Sequence, residues 1–513
     1  MSRAGSIATL SFALMLGISA TLAIANSALS PSTALALYAA LFLPYIALLY
    51  SARAVSPTRN HWLGLMLFAL ALRVLFAFSE PLFSDDIFRY VWDGRVGAAG
   101  INPYIHAPDA LELSHLRDQV IWPKINHPEI PTIYPPLAQM VFHLNALWHG
   151  GTSSLRMLFV LLEALMLGGC WAIFSWKRAG GKSRDEDNTT RSSLLPLAVY
   201  VLNPLVLVEG IWSGHIDILA WGTLTLALVM FVQRKSRSGA IGAGLLLGAS
   251  CALKLISVIF LPLLLLAPKD EATPRRELFL RRALLAMAMP LIVGASYLPY
   301  LSAGGEMFEG FGAYASRWRG NDGPFRALMT TSAVSLKRWA KEEQRQNPDD
   351  PAGKVFVTLS ALGPLYMKLG WTKQWQGKTI PANTYADDQA SQTVAKLIVA
   401  GLMGLMLLWC LLVVRDPLKG TLLLMGTLFF LAPTLYPWYV AWLVPLAALT
   451  RHRTPLLFGA LSLAAYLAWV SSEAGGEWVV PWWAVSIEFG VVFFAAFYEV
   501  TRPVYSSSST SEK

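Results

Sequence analysis

The chain has 513 residues, of which 55% are hydrophobic and 14% are charged, and its formal net charge is +9. A soluble globular protein carries about 25% charged residues, so this composition excludes the soluble class and indicates an all-α polytopic membrane protein. The apolar runs are continuous, which excludes a membrane β-barrel. The positive charge marks cytoplasmic loops rather than a nucleic-acid partner.

The basic loops predict the order of the first crossings. Residues 7–26 and 33–50 form a hairpin that returns to a cytoplasmic loop containing Arg53 and Arg59. Residues 62–79 then cross to the outer face. A cleaved signal peptide is the alternative for the first run, but its length and the single basic residue before it favour a retained span.

A polar first outer loop is predicted over 80–153. Within it, residues 134–148 have a helical pattern and begin with two prolines. If this helix crossed the membrane, the next span would carry Lys177 and Arg178 outside, against the positive-inside rule. The pattern therefore favours a helix that lies in the interface, or is re-entrant, on the outer side.

The remaining basic loops order the other crossings. Both flanks of 240–268 are basic, so this stretch is predicted to enter and return as two short helices with Lys254 near the turn. The other predicted spans are 154–176, 194–211, 216–233, 283–301, 393–414, 420–435, 437–450, 455–472 and 484–500. The total is about fourteen crossings, with both termini cytoplasmic.

These spans divide the chain into five parts. A charged stretch in the second outer loop, KRWAKEEQRQNPDD, is predicted to be an exposed helix, and 341–392 is an insertion there. The parts are an N-terminal hairpin (1–60), a catalytic transmembrane module (61–301), the second outer loop (302–392), a C-terminal transmembrane module (393–500) and a disordered cytoplasmic tail (501–513).

The segment 84–104, SDDIFRYVWDGRVGAAGINPY, directly follows the third predicted span. It places two adjacent carboxylates, Asp85 and Asp86, at the outer surface of the membrane. Aromatic residues alternate with the charged ones, a mixture that suits a ligand pocket better than a solvated loop cap. We therefore predict a functional site here.

Other polar residues predicted on the outer side come from distant parts of the chain. Ionisable groups near membrane depth are costly, so each is a candidate site residue. The set comprises Asp85, Asp86, Arg89, Arg95, Asn102, Tyr104, Tyr134, Glu209, His215, Asp217, Lys254, Arg317, Arg319, Tyr436, Trp438 and Tyr439. Structural alternatives stay open: Lys254 could snorkel, Glu209 could satisfy a helix end, and His215 with Asp217 could cap a helix.

These groups favour one kind of chemistry. A carboxylate can take a proton from an attacking hydroxyl, and a second carboxylate beside it raises the pKa of one of the pair. Arg and Lys bind a phosphate as it leaves, and Trp and Tyr stack on a sugar. Together they indicate a transferase with a lipid-phosphate donor. The alternatives are a transporter or flippase of lipid-linked sugars, which needs polar groups across the bilayer, and an acyl or phosphoryl transferase.

Several motifs in sequence carry a family resemblance. They are DDIFRYVWDG, AGINPY, IYPPLAQ, NPLVLVE with GHID, the lysine of ALKL, and YPWY. Over about residues 60–450 the chain resembles the integral-membrane glycosyltransferases of the GT-C class, and within them the bacterial mannosyltransferases that use polyprenol-phosphate sugars.

The resemblance implies an activity and a place for it. It implies inverting transfer of a hexose, mannose above all, from a polyprenyl-phosphate donor to a lipid-linked or envelope glycan acceptor. It also implies a multi-pass protein of the inner (plasma) membrane with an extracytoplasmic active site. The general base is Asp86 or Asp85. Asp86 is favoured because the family pattern of an Asp followed four residues later by a Tyr is met by Asp86 and Tyr90.

The remaining residues receive roles by their chemistry. The candidates for the donor phosphate are Arg89, Arg95, Lys254, His215 and Arg319. The candidates for substrate binding are Tyr90, Asn102, Tyr104, Tyr134, Glu209, Asp217, Trp438 and Tyr439. No cofactor is required: two adjacent acids could hold a divalent metal, but no D-x-D triplet accompanies them. The predicted partners are the donor, the acceptor and membrane lipids.

Overall fold

The structure, a computed structural model, describes residues 3–54, 58–180, 194–268, 273–346 and 382–501. Within these ranges every regular element is a helix, apart from an isolated bridge between Gly320 and Thr434. Helices are what long apolar runs must form, because in hydrocarbon a helix satisfies its own backbone groups. The predicted all-helical membrane class is confirmed.

Local sequence signals explain where the N-terminal helices begin. Ser30 accepts a hydrogen bond from the Thr33 N–H, and Thr58 forms a capping box with His61. The helices are α1 (Arg3–Ile24), α2 (Pro31–Ala40), α3 (Phe42–Ala54), α4 (Arg59–Ala77), α5 (Asp86–Ala98), α6 (Pro136–Trp148) and α7 (Thr152–Gly180).

Helix α5 carries the predicted acidic segment and packs against α6. A Cβ atom at Gly94 would overlap the Phe142 carbonyl, so only glycine permits this approach of the two backbones. The predicted helix at 134–148 is confirmed as Pro136–Trp148. Its orientation relative to the bilayer stays a prediction.

The helical structure in the middle of the chain is interrupted at two places, each of which contains a polar residue. The axis bends by 51° between Leu194–Val201 and the π-helix Val206–Trp212. Lys254 has an extended backbone between two helices, so the predicted break at this residue is confirmed. The helices are α8 (Leu194–Val201), α9 (Asp217–Gln233), α10 (Arg237–Leu253), α11 (Leu261–Leu265), α12 (Arg275–Tyr297), α13 (Glu309–Arg317) and α14 (Gly323–Gln346), with 3-10 helices at Leu255–Phe260 and Leu298–Phe308.

The C-terminal part continues the helical bundle. Its helices are α15 (Ala382–Trp409), α16 (Pro417–Phe430), α17 (Pro437–Val440), α18 (Leu443–Thr450), α19 (Thr454–Leu461), α20 (Leu467–Glu473) and α21 (Trp482–Thr501), with a π-helix at Cys410–Val414 and a 3-10 helix at Ser462–Tyr466. The predicted charged helix corresponds to α14 as far as Gln346. Most of the predicted 341–392 insertion, and the predicted tail after Thr501, lie outside the described residues.

Eight helical segments of the described chain are long and apolar enough to cross a membrane, or nine if the bent pair is one span. They are Gly5–Ile24, Pro31–Arg53, Arg59–Ala77, Thr152–Phe174, Arg275–Ala315, Ser391–Val414, Thr454–Glu473 and Trp482–Thr501. Other apolar helices, such as Asp217–Gln233, have only 10–17 residues, fewer than the ~20 that a straight crossing needs. The predicted count of about fourteen crossings therefore stays a prediction.

The core is densely packed around α9, α10 and α12. A Cβ at Gly244 would lie 2.7 Å from the Leu285 carbonyl oxygen, and one at Gly248 would lie 2.6 Å from that of Met289. Small residues let membrane helices approach closely in this way. This packing fixes the end of α10, and with it the position of Lys254.

Candidate functional site

A cavity of about 1530 Å³ lies where the helix breaks near Asn203 and Lys254 meet the segment between α4 and α6. Its wall is formed by residues from α5, the loop before α6, the start of α9, the break after α10, and the segment from α16 to α18. Nine of the candidate site residues line it: Asp85, Asp86, Arg89, Tyr134, Asp217, Lys254, Tyr436, Trp438 and Tyr439.

The two adjacent carboxylates share one donor. The Asn126 side-chain amide donates to Asp85 Oδ1 at 2.7 Å and to Asp86 Oδ1 at 3.0 Å. The Tyr134 hydroxyl lies 3.3 Å from the other oxygen of Asp86. Asp86 is therefore fixed on both oxygens, while its side chain stays 23% exposed toward the cavity.

The pair is electrostatically unequal. Burial raises the pKa of Asp85, and the charge of Asp86 adds to that increase. Burial also raises the pKa of Asp86, but the neighbouring His215 imidazole, with smaller effects of Asn126 and Lys254, outweighs it and lowers the pKa to about 2. One member of the pair is raised, as expected for neighbouring acids, but it is Asp85. Asp86 is held in its ionised form.

Lys254 faces the cavity from a fixed position. Its ammonium lies 3.2 Å from Asp217 Oδ2, and it sits over the rings of Tyr134 at 5.3 Å and Tyr439 at 5.9 Å. The Trp442 indole donates to Asp217 Oδ1 at 2.9 Å. The side chain of Lys254 remains 20% exposed, so a cation is available on the same wall as Asp86.

Aromatic rings form the adjoining part of the wall. Tyr436 stacks on Trp438 with ring centroids 4.5 Å apart, and Trp438 stacks on His215 at 4.3 Å. The hydroxyl oxygens of Tyr314 and Tyr439 lie 2.6 Å apart. Aromatic faces beside a cation and a carboxylate are suited to binding a sugar.

Behind Asp86 lie two predicted residues that do not line the cavity. His215 and Glu209 are both fully buried. His215 Nδ1 is 3.6 Å from Asp86 Oδ2, and its Nε2 is 3.6 Å from Glu209 Oε2. Glu209 also accepts hydrogen bonds from the hydroxyls of Tyr38 and Tyr466 at 2.8 and 3.0 Å.

Two predicted residues of α5 serve its packing. The Arg89 guanidinium lines the cavity but pairs with Asp93 at 2.8 Å and donates to the Ile130 carbonyl. Tyr90 is buried and stacks on Phe142 with ring centroids 4.6 Å apart. Arg89 is therefore committed to neighbours within the protein, and Tyr90 supports the wall from behind.

Other predicted residues lie outside the cavity lining. Arg95 pairs with Asp118 at 2.6 Å, the Asn102 amide donates to the Tyr300 carbonyl, and the Tyr104 hydroxyl donates to the Tyr134 carbonyl. Arg319 is exposed, with its guanidinium near Met329 Sδ. The side chain of Arg317 lies outside the described part of the chain.

The structure adds residues that the sequence did not single out. Asn126 binds both acids, Trp442 holds Asp217, and Tyr38 and Tyr466 hold Glu209. Asn126 is a polar loop residue about 40 positions from the acids, and the two tyrosines lie in apolar runs. Nothing local distinguishes them, since their roles depend on long-range packing.

The described residues contain no group of three or more His, Cys, Asp or Glu side chains arranged to hold a metal ion. The cavity wall offers the carboxylates of Asp85, Asp86 and Asp217, the ammonium groups of Lys124 and Lys254, and stacked aromatic rings.

Two family models match this chain. Residues 4–270 match MptA_B_family, described as "Alpha-(1->6)-mannopyranosyltransferase, N-terminal domain". Residues 368–501 match the MptB C-terminal domain. No curated protein and no solved structure matches the chain.

The first of these matches alone spans more than half of the chain. The predicted resemblance to membrane mannosyltransferases is confirmed. The chain belongs to the alpha-(1->6)-mannopyranosyltransferase family.

Proposed function

We propose that this membrane mannosyltransferase moves mannose from a polyprenyl-phosphate donor to a lipid-linked or envelope glycan acceptor, with inversion, on the extracytoplasmic side. Asp86 is the general base and Asp85 its partner. One observation carries the proposal: a single cavity exposes both an ionised carboxylate, Asp86, and a cation, Lys254, beside stacked aromatic rings.

The geometry supports a single displacement. The acceptor hydroxyl gives its proton to Asp86 while its oxygen bonds to the anomeric carbon. The bond from that carbon to the phosphate oxygen breaks, and its electron pair leaves on the phosphate, where Lys254 stabilises the charge. Attack opposite the leaving group inverts the anomeric centre.

The cavity wall supports a lipid donor. Leu255, Ile256 and Ile259 follow Lys254 directly and line the cavity, as do Leu428 and Phe429 of α16. An isoprenoid chain could lie along these residues while its phosphate reaches Lys254. A soluble nucleotide sugar would find no comparable use for this apolar surface.

The helix directions support an extracytoplasmic site. Several helical segments around the cavity have basic residues at one end and cavity residues at or beyond the other. The basic ends are Arg59 of α4, Arg234 after α9, Arg237 of α10, Arg275 of α12 and Arg415 before α16. Because cytoplasmic loops carry the excess of Lys and Arg, the opposite ends, with the cavity, are assigned to the outer side.

The test is a transfer assay with the purified full-length protein in lipid nanodiscs. It combines labelled polyprenyl-phosphate mannose with a membrane lipid extract, and in parallel labelled GDP-mannose. We expect a new mannosylated product from the lipid donor only. Asp86→Asn should lower kcat by about 10²- to 10⁴-fold, the usual contribution of a general base, in protein that still folds.

Asp109→Asn is the matched control, because Asp109 is an exposed carboxylate of the same outer segment. It should retain full activity. Undiminished transfer in both Asp85→Asn and Asp86→Asn would reject the catalytic assignment. Movement of the intact lipid-linked sugar across the membrane without a new glycosidic bond would instead support a flippase.

A further inference from the structure

We propose that His215, held by Glu209, is a positioning residue for Asp86 that accepts the proton Asp86 takes from the acceptor hydroxyl. The inference rests on the proposed function, since it assumes that Asp86 is the base. It reassigns His215 and Glu209, which the sequence placed among the phosphate- and substrate-binding residues, to a buried row behind the reacting carboxylate.

The row consists of Asp86, His215 and Glu209, and only Asp86 reaches the cavity. Asp86 lines the cavity, whereas His215 and Glu209 are fully buried and lie outside its wall. The imidazole lies between the two carboxylates, with each ring nitrogen 3.6 Å from one of them. Neither ring nitrogen has a hydrogen-bond partner among the described residues. A buried imidazole without a hydrogen bond costs stability. Such a cost is expected where the ring nitrogens must be free to take up a proton.

The surrounding structure fixes the ring. Gly214 has a φ of +70°, and a side chain there would meet Ile87 and Arg156, so the turn before His215 is tightly constrained. The backbone N–H of His215 donates to the backbone carbonyl of Glu209 at 3.1 Å. Trp438 stacks on the imidazole. The ring therefore has little freedom except for a small shift toward either carboxylate.

The far end of the row is a carboxyl group held in place by two tyrosines. Tyr38 from α2 and Tyr466 from the 3-10 helix before α20 both donate to Glu209. Hydrogen bonds of this kind fix the position of a buried carboxyl group and favour its charged form. An ionised Glu209 would stabilise an imidazolium at His215, as the buried aspartate does in a Ser-His-Asp triad.

The proton balance is closed. The acceptor oxygen loses its proton to Asp86 as the glycosidic bond forms and the sugar–phosphate bond breaks. The proton then passes from Asp86 to Nδ1 of neutral His215, which restores the Asp86 carboxylate. After the product leaves, the proton returns through Asp86 to water in the cavity, so one proton is released per transfer.

The experiment measures kcat and KM for donor and acceptor from pH 5 to 9, using the purified full chain and the transfer assay above. His215→Asn should lower kcat by roughly 10- to 100-fold, less than loss of the base itself, and leave both KM values within about twofold. Because other ionisable groups surround the row, the profiles are interpreted by comparing variants. These groups are Asp85, Asp217, Lys254, Tyr38 and Tyr466.

Glu209→Gln provides the distinguishing readout. It is isosteric and keeps an acceptor for the two tyrosines, so the fold should survive even if that of His215→Asn does not. Loss of the negative charge destabilises an imidazolium at His215. The acidic limb of kcat should therefore move to lower pH, which a merely structural role would not cause. Glu306→Gln is the control, because Glu306 is exposed.

Two outcomes would overturn the inference: kcat within twofold of wild type in both variants, or an acidic limb in Glu209→Gln that is unmoved or moves to higher pH. These failures differ from that of the proposed function. If Asp86→Asn is inactive while both variants behave as wild type, the base assignment stands and the relay is wrong. If Asp86→Asn is fully active, both fail.

Discussion

Two buried charged clusters of this protein are built differently. Arg73 in α4 meets Glu163 in α7 through two hydrogen bonds of 2.7 and 2.9 Å, and it also donates to the carbonyls of Ala69 and Val201. In the row behind the cavity, by contrast, His215 lies 3.6 Å from each carboxylate without a hydrogen bond from its ring.

The difference separates structural charges from reactive ones. The Arg73–Glu163 pair holds two spans together and satisfies the Val201 carbonyl where α8 ends. Its donors are all aimed at fixed acceptors, so a proton or ligand would gain nothing there. In the cavity cluster, the hydrogen-bonding capacity of the His215 ring is unused. This costs stability and is expected where a substrate or a proton must be bound.

The first prediction concerns the structural pair and has the largest expected effect. Glu163→Gln leaves a buried guanidinium without its counter-ion, so we expect the free energy of unfolding to fall by about 3–5 kcal/mol. Thermal unfolding in detergent or nanodiscs measures it. The transfer rate per folded molecule should stay near that of wild type, because the pair does not line the cavity.

The matched variant removes both charges. Arg73→Met combined with Glu163→Leu should recover most of the lost stability, because the double change leaves no unpaired buried charge. If Glu163→Gln instead abolished transfer in fully folded protein, the distinction between the two clusters would be wrong.

The second prediction concerns Lys254. Lys254→Met removes the cavity cation and should weaken donor binding by roughly 10- to 100-fold, the value of about 1.5–3 kcal/mol for hydrogen bonds to charged groups. The KM for the lipid donor measures it. The control is Lys419→Met, because Lys419 is an exposed lysine in the first turn of α16, at the end away from the cavity. A rise in the acceptor KM alone would place Lys254 on the acceptor instead.

The third prediction uses the pKa of Asp86, which is about 2 in the folded protein against an ordinary value of 3.8. Because the folded state binds this proton less readily, Asp86 contributes stability above pH ~4, and the contribution is lost as the pH falls toward 2. The amount is about 2 kcal/mol. The difference in unfolding free energy between wild type and Asp86→Asn, measured from pH 7 to 2.5, isolates it.

We expect wild type to be more stable than Asp86→Asn at pH 7, and this advantage to shrink as the pH falls. Asp109→Asn should show no such trend relative to wild type, because its carboxylate is exposed. A difference that is constant with pH would mean that the Asp86 pKa is not lowered in the folded protein.

The sequence predicted the parts of this molecule that depend on local patterns. Apolar runs predicted the helical membrane class, basic flanks predicted the break at Lys254, and the paired prolines predicted the start of α6. The adjacent acids were recognised because two carboxylates next to a span are rare. Each of these signals is contained within about twenty residues.

The sequence could not separate residues that line the cavity from residues that stand behind it. His215 and Asp217 are two positions apart, yet Asp217 is in the wall and His215 is behind it. Arg89 and Arg95 have the same chemistry, but Asp93 and Asp118 pair with them. Which charge is already neutralised depends on partners brought together by the tertiary fold.

The last prediction concerns Asn126, the residue that the sequence missed and that binds both acids. Asn126→Ala removes their shared donor, but water in the cavity can replace part of it. We therefore expect kcat to fall about fivefold, equivalent to about 1 kcal/mol, with little change in stability. His115→Ala, a change of an exposed residue of the same segment between α5 and α6, should have no effect. Because Asn126 also lowers the pKa of both carboxylates, its loss should raise the pH at which activity begins to fall on acidification. A larger loss with an unmoved acidic limb would mean that Asn126 contacts the substrate directly rather than holding the acids.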